Sequence, residues 1–245
     1  MIKFFRNMRQ NQLTEGKTGR YLKYAIGEIV LVVVGILIAL SINNWNENRK
    51  VRAYELNQLN EIRENLIESK KEIAEDMEFN ATTVELYQHM LAHAEANLPY
   101  DAALDSGFFL FANWQSPFLP QSGYETLKTS GINIIQNETL KKDIVKMHEQ
   151  HFSFLINDID KGEWVFSQSV VEEFAAVHLQ YFDDGTRRYA RPNDYESLKK
   201  NSKYKNILRI LIRKRSEGVR TYEKTLKLIS ELIEKIGDEL EKRSS

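Results

Sequence analysis

An all-α fold, one transmembrane helix followed by an elongated antiparallel helical bundle with coiled-coil-like seams, is predicted by three features of this 245-residue chain. One uncharged run is long enough to cross a bilayer. Three later stretches repeat apolar residues at steps of three and four. Only four prolines and eleven glycines interrupt the chain, fewer than the close-set turns of an all-β sandwich require. With 42% apolar and 28% charged residues, the chain has enough apolar side chain for a core and is not of disordered composition.

Residues 1–23 form a basic leader. Lys3, Arg6, Arg9, Lys17, Arg20 and Lys23 oppose only Glu15, a balance of 6 − 1 = +5. Glu28 adds −1, and the remaining 28 basic and 33 acidic residues sum to −5. This segregation argues against a uniform basic face, so no nucleic-acid partner is expected. Ile2, Phe5 and Met8 recur at every third position between basic residues, the pattern of an interfacial helix on anionic lipid. A flexible tail is the competing reading.

The transmembrane helix is assigned to residues 24–46. Ile29 to Asn46, IVLVVVGILIALSINNWN, is 18 residues without a charge. That length spans roughly 27 Å at 1.5 Å per residue, against a hydrocarbon core of about 30 Å, and Tyr24 to Gly27 complete the crossing. Tyr21, Tyr24 and Trp45 stand where interfacial aromatics belong. A cleaved signal peptide ending at Ala39-Leu40-Ser41 is disfavoured by the long polar leader and by the helical pattern beyond Trp45. The six basic residues before the span favour the N-terminus on the inside of the membrane and the bulk on the outside. Arg49, Lys50 and Arg52 pull the other way, and the reversed topology is the alternative.

At 100° per residue, Glu28, Gly35, Ala39 and Asn46 fall on one line of the span. Gly35-x-x-x-Ala39 fits the small-xxx-small pattern of close helix packing in membranes. The expected partners are the lipid bilayer and, through this stripe, a second copy of the chain or another membrane protein.

Residues 47–245 are read as an extracytoplasmic helical bundle. Leu59, Ile62, Leu66, Ile73, Met77, Val84 and Leu91 mark its first helix, with Ser69 and Asn80 as weak points. Glu138 to Tyr181 reads as one helix, or two joined near Gly162, with Leu140, Ile144, Met147, His151, Leu155, Ile159, Phe166, Val170, Phe174, Val177 and Tyr181 inward. Tyr222, Leu226, Ile229, Ile233, Ile236 and Leu240 step 4, 3, 4, 3, 4 along a last helix over about 203–242. Shorter helices at about 103–112 and 194–200 complete the bundle. Between them, residues 99–136 are irregular and rich in aromatics: Phe108, Phe109, Phe111, Trp114, Phe118 and Tyr124, around Pro117 and Pro120. They form either a cap that plugs the bundle end or an exposed interaction surface. The exposure of Trp114 separates the two.

The segment KYAIGEIVLVVVGILIALSINNWNE (Lys23 to Glu47) resembles the N-terminal signature of a family of single-pass membrane proteins found mainly in Bacteroidota, which carries only a domain-of-unknown-function label. The leader, SGYETLKTSGINII (Ser122 to Ile135) and the charged C-terminal helix are similar as well, and Ser41 departs from a more usual Gln. The resemblance implies an envelope protein with a membrane anchor and a helical body. It brings no catalytic residues.

No chemistry-bearing motif stands out. Zero cysteines exclude disulfides, thiolate metal sites and a cysteine nucleophile. Glu85, His89 and His93 share a helix face, but neither the Glu-x-x-His pair of di-iron bundles nor the His-Glu-x-x-His run of zinc proteases occurs. Gly16-Lys17-Thr18 lacks the glycine-rich lead of a P-loop. Asp183-Asp184-Gly185 reads as a turn between helices, and Ser122-Gly123-Tyr124 lacks the context of a nucleophile elbow. No metal, cofactor or enzymatic activity is expected. The reading is a non-enzymatic interaction or scaffold component of an envelope assembly; the alternative is a ligand-sensing bundle that signals through a partner membrane protein.

Overall fold

The computed structural model describes residues 18–244, with side chains from 22 to 242; the expectation of an interfacial helix at residues 1–9 lies outside them. The fold is all-α, and the chain divides into two compact units, residues 1–54 and 55–245.

In the first unit the described residues belong to helix α1 (Thr18–Glu95). Its most apolar 18-residue window is wholly uncovered, and the helix is long and apolar enough to cross a membrane. The Ser41 hydroxyl donates to the Leu37 carbonyl at 2.8 Å, so its polar group is satisfied within the helix. Below it, the Arg49 guanidinium lies 5.5 Å from the Trp45 ring.

The second unit begins at Glu55. Along α1 the buried seam runs Glu55, Leu59, Ile62, Leu66, Ser69, Ile73, Asp76, Asn80, Thr83, Tyr87, Met90 and Ala94, an alternation of four and three, with Gln58 and His93 also buried beside it. This seam corrects the expected inward face: Met77, Val84 and Leu91 are half-buried flankers, while polar Ser69, Asp76, Asn80 and Thr83 point inward. The helix stops at Asn97 with φ +53, a left-handed residue typical after a helix end, followed by Pro99. The buried Lys199 ammonium donates to the freed carbonyls of Asn97 and Leu98 at 3.3 and 3.2 Å.

After a 3₁₀ turn (Ala102–Leu104) come α2 (Asp105–Leu110) and α3 (Ser122–Ser130). α3 sits close on α1: a Cβ on Gly123 would meet the Ile62 backbone nitrogen at 2.9 Å, and the Gly123 amide donates to Asn65 Oδ1 at 2.9 Å. Only glycine allows that approach.

The long helix expected from Glu138 is present, but not as regular α-helix. α4 (Glu138–Lys146), α5 (Lys161–Phe166) and α6 (Glu172–His178) alternate with π-helical turns at Met147–Phe152, Leu155–Asp160 and Ser167–Val171. Gly162 is no joint; it lies inside α5. Each π turn accommodates about one extra residue and slips the inward face along the sequence. The buried positions between Leu155 and the end of α6 are therefore Asp160, Glu163, Ser167 and Val171, with Asp160, Ser167 and Val171 one residue beyond the expected Ile159, Phe166 and Val170, and then both Ala175 and the expected Phe174. Val177 is exposed.

A second correction follows at once. Tyr181 belongs to strand β1 (Leu179–Asp183), which pairs antiparallel with β2 (Arg188–Pro192), Leu179 opposite Pro192 and Asp183 opposite Arg188. The turn expected between helices joins these strands. Gly185 takes φ +80, and the Asp184 carboxylate accepts from the amides of Thr186 and Arg187, both at 3.0 Å, an Asx-type turn.

α7 (Tyr195–Leu198) leads into α8 (Ser202–Ser244). Its buried seam runs Tyr204, Leu208, Leu211, Arg215, Gly218, Tyr222, Thr225, Ile229, Leu232, Ile236 and Glu239, again alternating four and three, with Ile207 also buried beside Leu208. The expected Leu226, Ile233 and Leu240 flank this seam, half-buried. α8 runs antiparallel to the bundle part of α1: Arg209 pairs with Glu95 at 2.5 Å, and far along both helices Gly237 stands beside the Arg63 side chain. It also runs antiparallel to the π-bulged helix, pairing Lys235 with Asp143 at 2.7 Å and Tyr222 with Asp160 at 2.9 Å.

Two apolar cores result. One gathers Leu59, Ile62, Leu66, Leu127, Ile144, Leu155, Ile229 and Ile236; the other gathers Tyr87, Phe108, Phe111, Phe174, Tyr204, Leu208 and Leu211.

Candidate functional site

Between these cores, buried polar side chains from every long helix of the second unit converge. Asp76, Asn80 and Thr83 come from α1, Asp160, Glu163 and Ser167 from the π-bulged helix, and Arg215 from α8. The loop after α2 crosses the same level: the Ser167 hydroxyl donates to Ala112 O at 3.2 Å, the Arg215 guanidinium to Asn113 O, and the Ser116 hydroxyl to Asp160 Oδ2 at 2.6 Å.

Arg215 is 1% exposed. Its Nε donates to Glu163 Oε1 at 2.8 Å, and its guanidinium lies 5.3 and 5.0 Å from the rings of Phe79 and Tyr87. This is a buried ion pair with aromatic faces around the cation, an environment that suits a weakly hydrated guanidinium. Burial also raises Tyr87, whose hydroxyl donates to Leu110 O at 2.6 Å.

The two aspartates have no such partner. Asp160 accepts from Ser116 and, at Oδ1, from the Tyr222 hydroxyl at 2.9 Å. Burial pushes its carboxyl up to about 6 against the opposing effect of these donors, with Glu163 adding repulsion. Burial likewise pushes Asp76 up to about 7; a Gln115 hydrogen bond opposes this, while Asp160, Glu72 and Glu75 add repulsion. Asp76 Oδ2 has no hydrogen-bond partner among the described residues. Beside Asp160 opens a cleft of about 260 Å³, lined by Trp114, Ser116, Ile156, Asn157, Asp160, Lys161 and Trp164.

The sequence hides this layer, because isolated polar residues in an apolar repeat look like weak points. Extending the four-three alternation through Ser69, Asp76, Asn80 and Thr83, and backward from Tyr222 to Arg215, would have placed most of it inside.

The expected aromatic surface divides. Phe108, Phe111 and Tyr124 are buried and are packing residues, since α2 and α3 turn them onto α1 and its neighbours. Tyr124 stacks on buried His148 at 4.3 Å, and burial pushes that imidazole down to about 4. Phe109 is half-buried, 6.2 Å from the Tyr181 ring. Trp114 and Phe118 are exposed, at 37% and 70%.

Glu28, Gly35 and Ala39 of the stripe are exposed and Asn46 is half-covered; a Cβ on Gly35 would meet nothing within 4 Å. Among the described residues no group of three or more His, Asp or Glu residues converges to hold a metal. Glu85 and His89 are exposed, and His93 is buried with Nε2 2.6 Å from Pro99 O.

Fold and site thus define a class: an all-α protein with one helix apolar enough to span a membrane and a bundle whose core is divided by a buried polar layer. The chain belongs to a family of unknown function (DUF6090), whose model matches residues 28–216. That match runs from Glu28 of the apolar span into α8 and includes every residue of the polar layer; Tyr222, the donor to Asp160, lies beyond it. No curated protein and no solved structure matches the chain.

Proposed function

We propose that this chain is a membrane-anchored bundle of the bacterial envelope that works by association rather than catalysis. The helix of residues 24–46 lies in the inner membrane, the N-terminus in the cytoplasm and residues 47–245 in the periplasm. The observation that carries this reading is the uncovered apolar window of α1 in a chain whose bundle buries its own seams. The stripe Glu28, Gly35, Ala39 and Asn46 offers a second membrane helix a close approach.

Photo-crosslinking tests it. With the probe at Ala39 in the native host, the expected outcome is a reproducible adduct with a second copy or with another membrane protein. Gly35→Leu should abolish the adduct, because the bulkier side chain holds the helices apart. Adducts with lipid alone, or an unchanged adduct in the variant, would remove the role of the stripe. A reporter fused after Ser245 reads the topology.

A second reading, a ligand-sensing bundle that signals through a partner membrane protein, is favoured by the cleft beside Asp160. Apolar packing alone has no use for an uncompensated carboxylate at that depth.

A further inference from the structure

The cleft combines two properties that select one class of ligand. The first is uncompensated negative charge. Asp160 is 5% exposed and is held only by two neutral hydroxyls, Ser116 at 2.6 Å and Tyr222 at 2.9 Å. Among the described residues no Lys, Arg or His stands within 4 Å of its carboxylate; Arg215 is committed to Glu163 at 2.8 Å. Asp76, which repels Asp160, leaves one oxygen without a hydrogen bond. The second property is aromatic wall. Trp114 and Trp164, 37% and 44% exposed, line the same cleft, and indole faces attract cations more strongly than other aromatic faces do.

Size and rim narrow the choice further. About 260 Å³ is below the roughly 300–1,000 Å³ of sites for drug-sized ligands. A bare metal ion lacks a sufficient donor set among the described residues. Lys161 is exposed and also lines the cleft, so it opposes dications and favours a ligand that carries an anionic group of its own.

We propose that this cleft binds a small zwitterion of the amino-acid or betaine type, its ammonium head held between Trp114 and Trp164 and directed at Asp160, its anionic group toward Lys161. The proposal rests on the ligand-sensing reading and supplies its ligand class. Ser116 and Tyr222 act as positioning residues: they fix the carboxylate but, as neutral donors, leave its charge to the ligand.

The test uses the full chain in lipid nanodiscs, titrated with glycine betaine, with choline, and with the neutral alcohol in which carbon replaces choline's nitrogen. Indole fluorescence and calorimetry report binding. Expected are saturable binding of betaine, weaker binding of choline and none of the neutral isostere. Asp160→Asn and Trp164→Ala should each weaken betaine binding by about tenfold or more, while Lys161→Gln should bring betaine and choline closer together. The melting temperature of Asp160→Asn, at or above that of the parent, establishes that lost binding is not lost folding. No saturable response to betaine or choline below about 100 mM, far weaker than a millimolar site, or equal binding of the isostere, overturns the proposal. Repeating the Ala39 crosslink with and without betaine separates the two readings: binding that leaves the adduct unchanged removes the sensing role and keeps the cleft, whereas absent binding removes the cleft and leaves the anchoring role untouched.

Discussion

Arg215 is the residue on which the interior depends most. Its side chain ties Glu163, the Asn113 carbonyl and two aromatic rings at a point 1% exposed. Arg215→Ala leaves a buried Glu163 without its countercharge, so the expected loss is about 3–5 kcal/mol in urea unfolding. Replacing both partners by Met should recover most of that loss, since no charge then remains to be desolvated. Asp76 behaves oppositely. Its folded value of about 7 lies above the ordinary 3.8, so its contribution to stability is full below 3.8 and is lost as pH rises toward 7. Asp160, raised to about 6, adds to the same trend over a narrower window. Asp76→Asn should therefore match the parent at pH 4 and exceed it at pH 8, by up to about 3 kcal/mol. Thermal melts of both proteins across that range read the difference directly.

At the scale of elements, glycine positions separate close approach from spare room. Gly123→Ala drives a Cβ against the Ile62 backbone, which cannot give way like a side chain, and about 1–3 kcal/mol of destabilisation is expected. Gly218→Ala places its Cβ at 3.7 Å from Ile159 and 4.0 Å from Tyr222, ordinary contact, so a better helix former should stabilise α8 by about 0.5–1 kcal/mol. Paired denaturation curves check both signs. The same elements set what the sequence could tell. α1 and α8 were legible because their apolar residues keep helical spacing over many turns, although Leu226, Ile233 and Leu240 pulled the expected face of α8 off its true seam. The π turns were not legible: a slip of one residue leaves no mark on composition, yet it turns Asp160 and Glu163 inward in place of Ile159. The hairpin was hidden for another reason. Leu179 to Phe182 continue the apolar rhythm of α6, and only the turn chemistry of Asp184 and Gly185 marks the change. The candidate cleft was invisible because Trp114 and Asp160 lie far apart in sequence and meet only through the bulged helix.

For the bundle as a whole, the two apolar cores and the polar layer between them matter more than any single contact. Hydrophobic burial is what resists local opening, and here it is concentrated on either side of a level rich in charge. Helices α1 and α8 thread both cores, but α3 serves only one and the hairpin only the other. Amide hydrogen exchange should accordingly resolve two opening units rather than one. Amides around Ile62, Leu127 and Ile229 would share one opening free energy, and those around Phe108, Ala190 and Leu208 would share another. A molecule built this way can loosen at one end while the other stays shut, and whatever neutralises the acids at the middle sets how tightly the two halves open and close together.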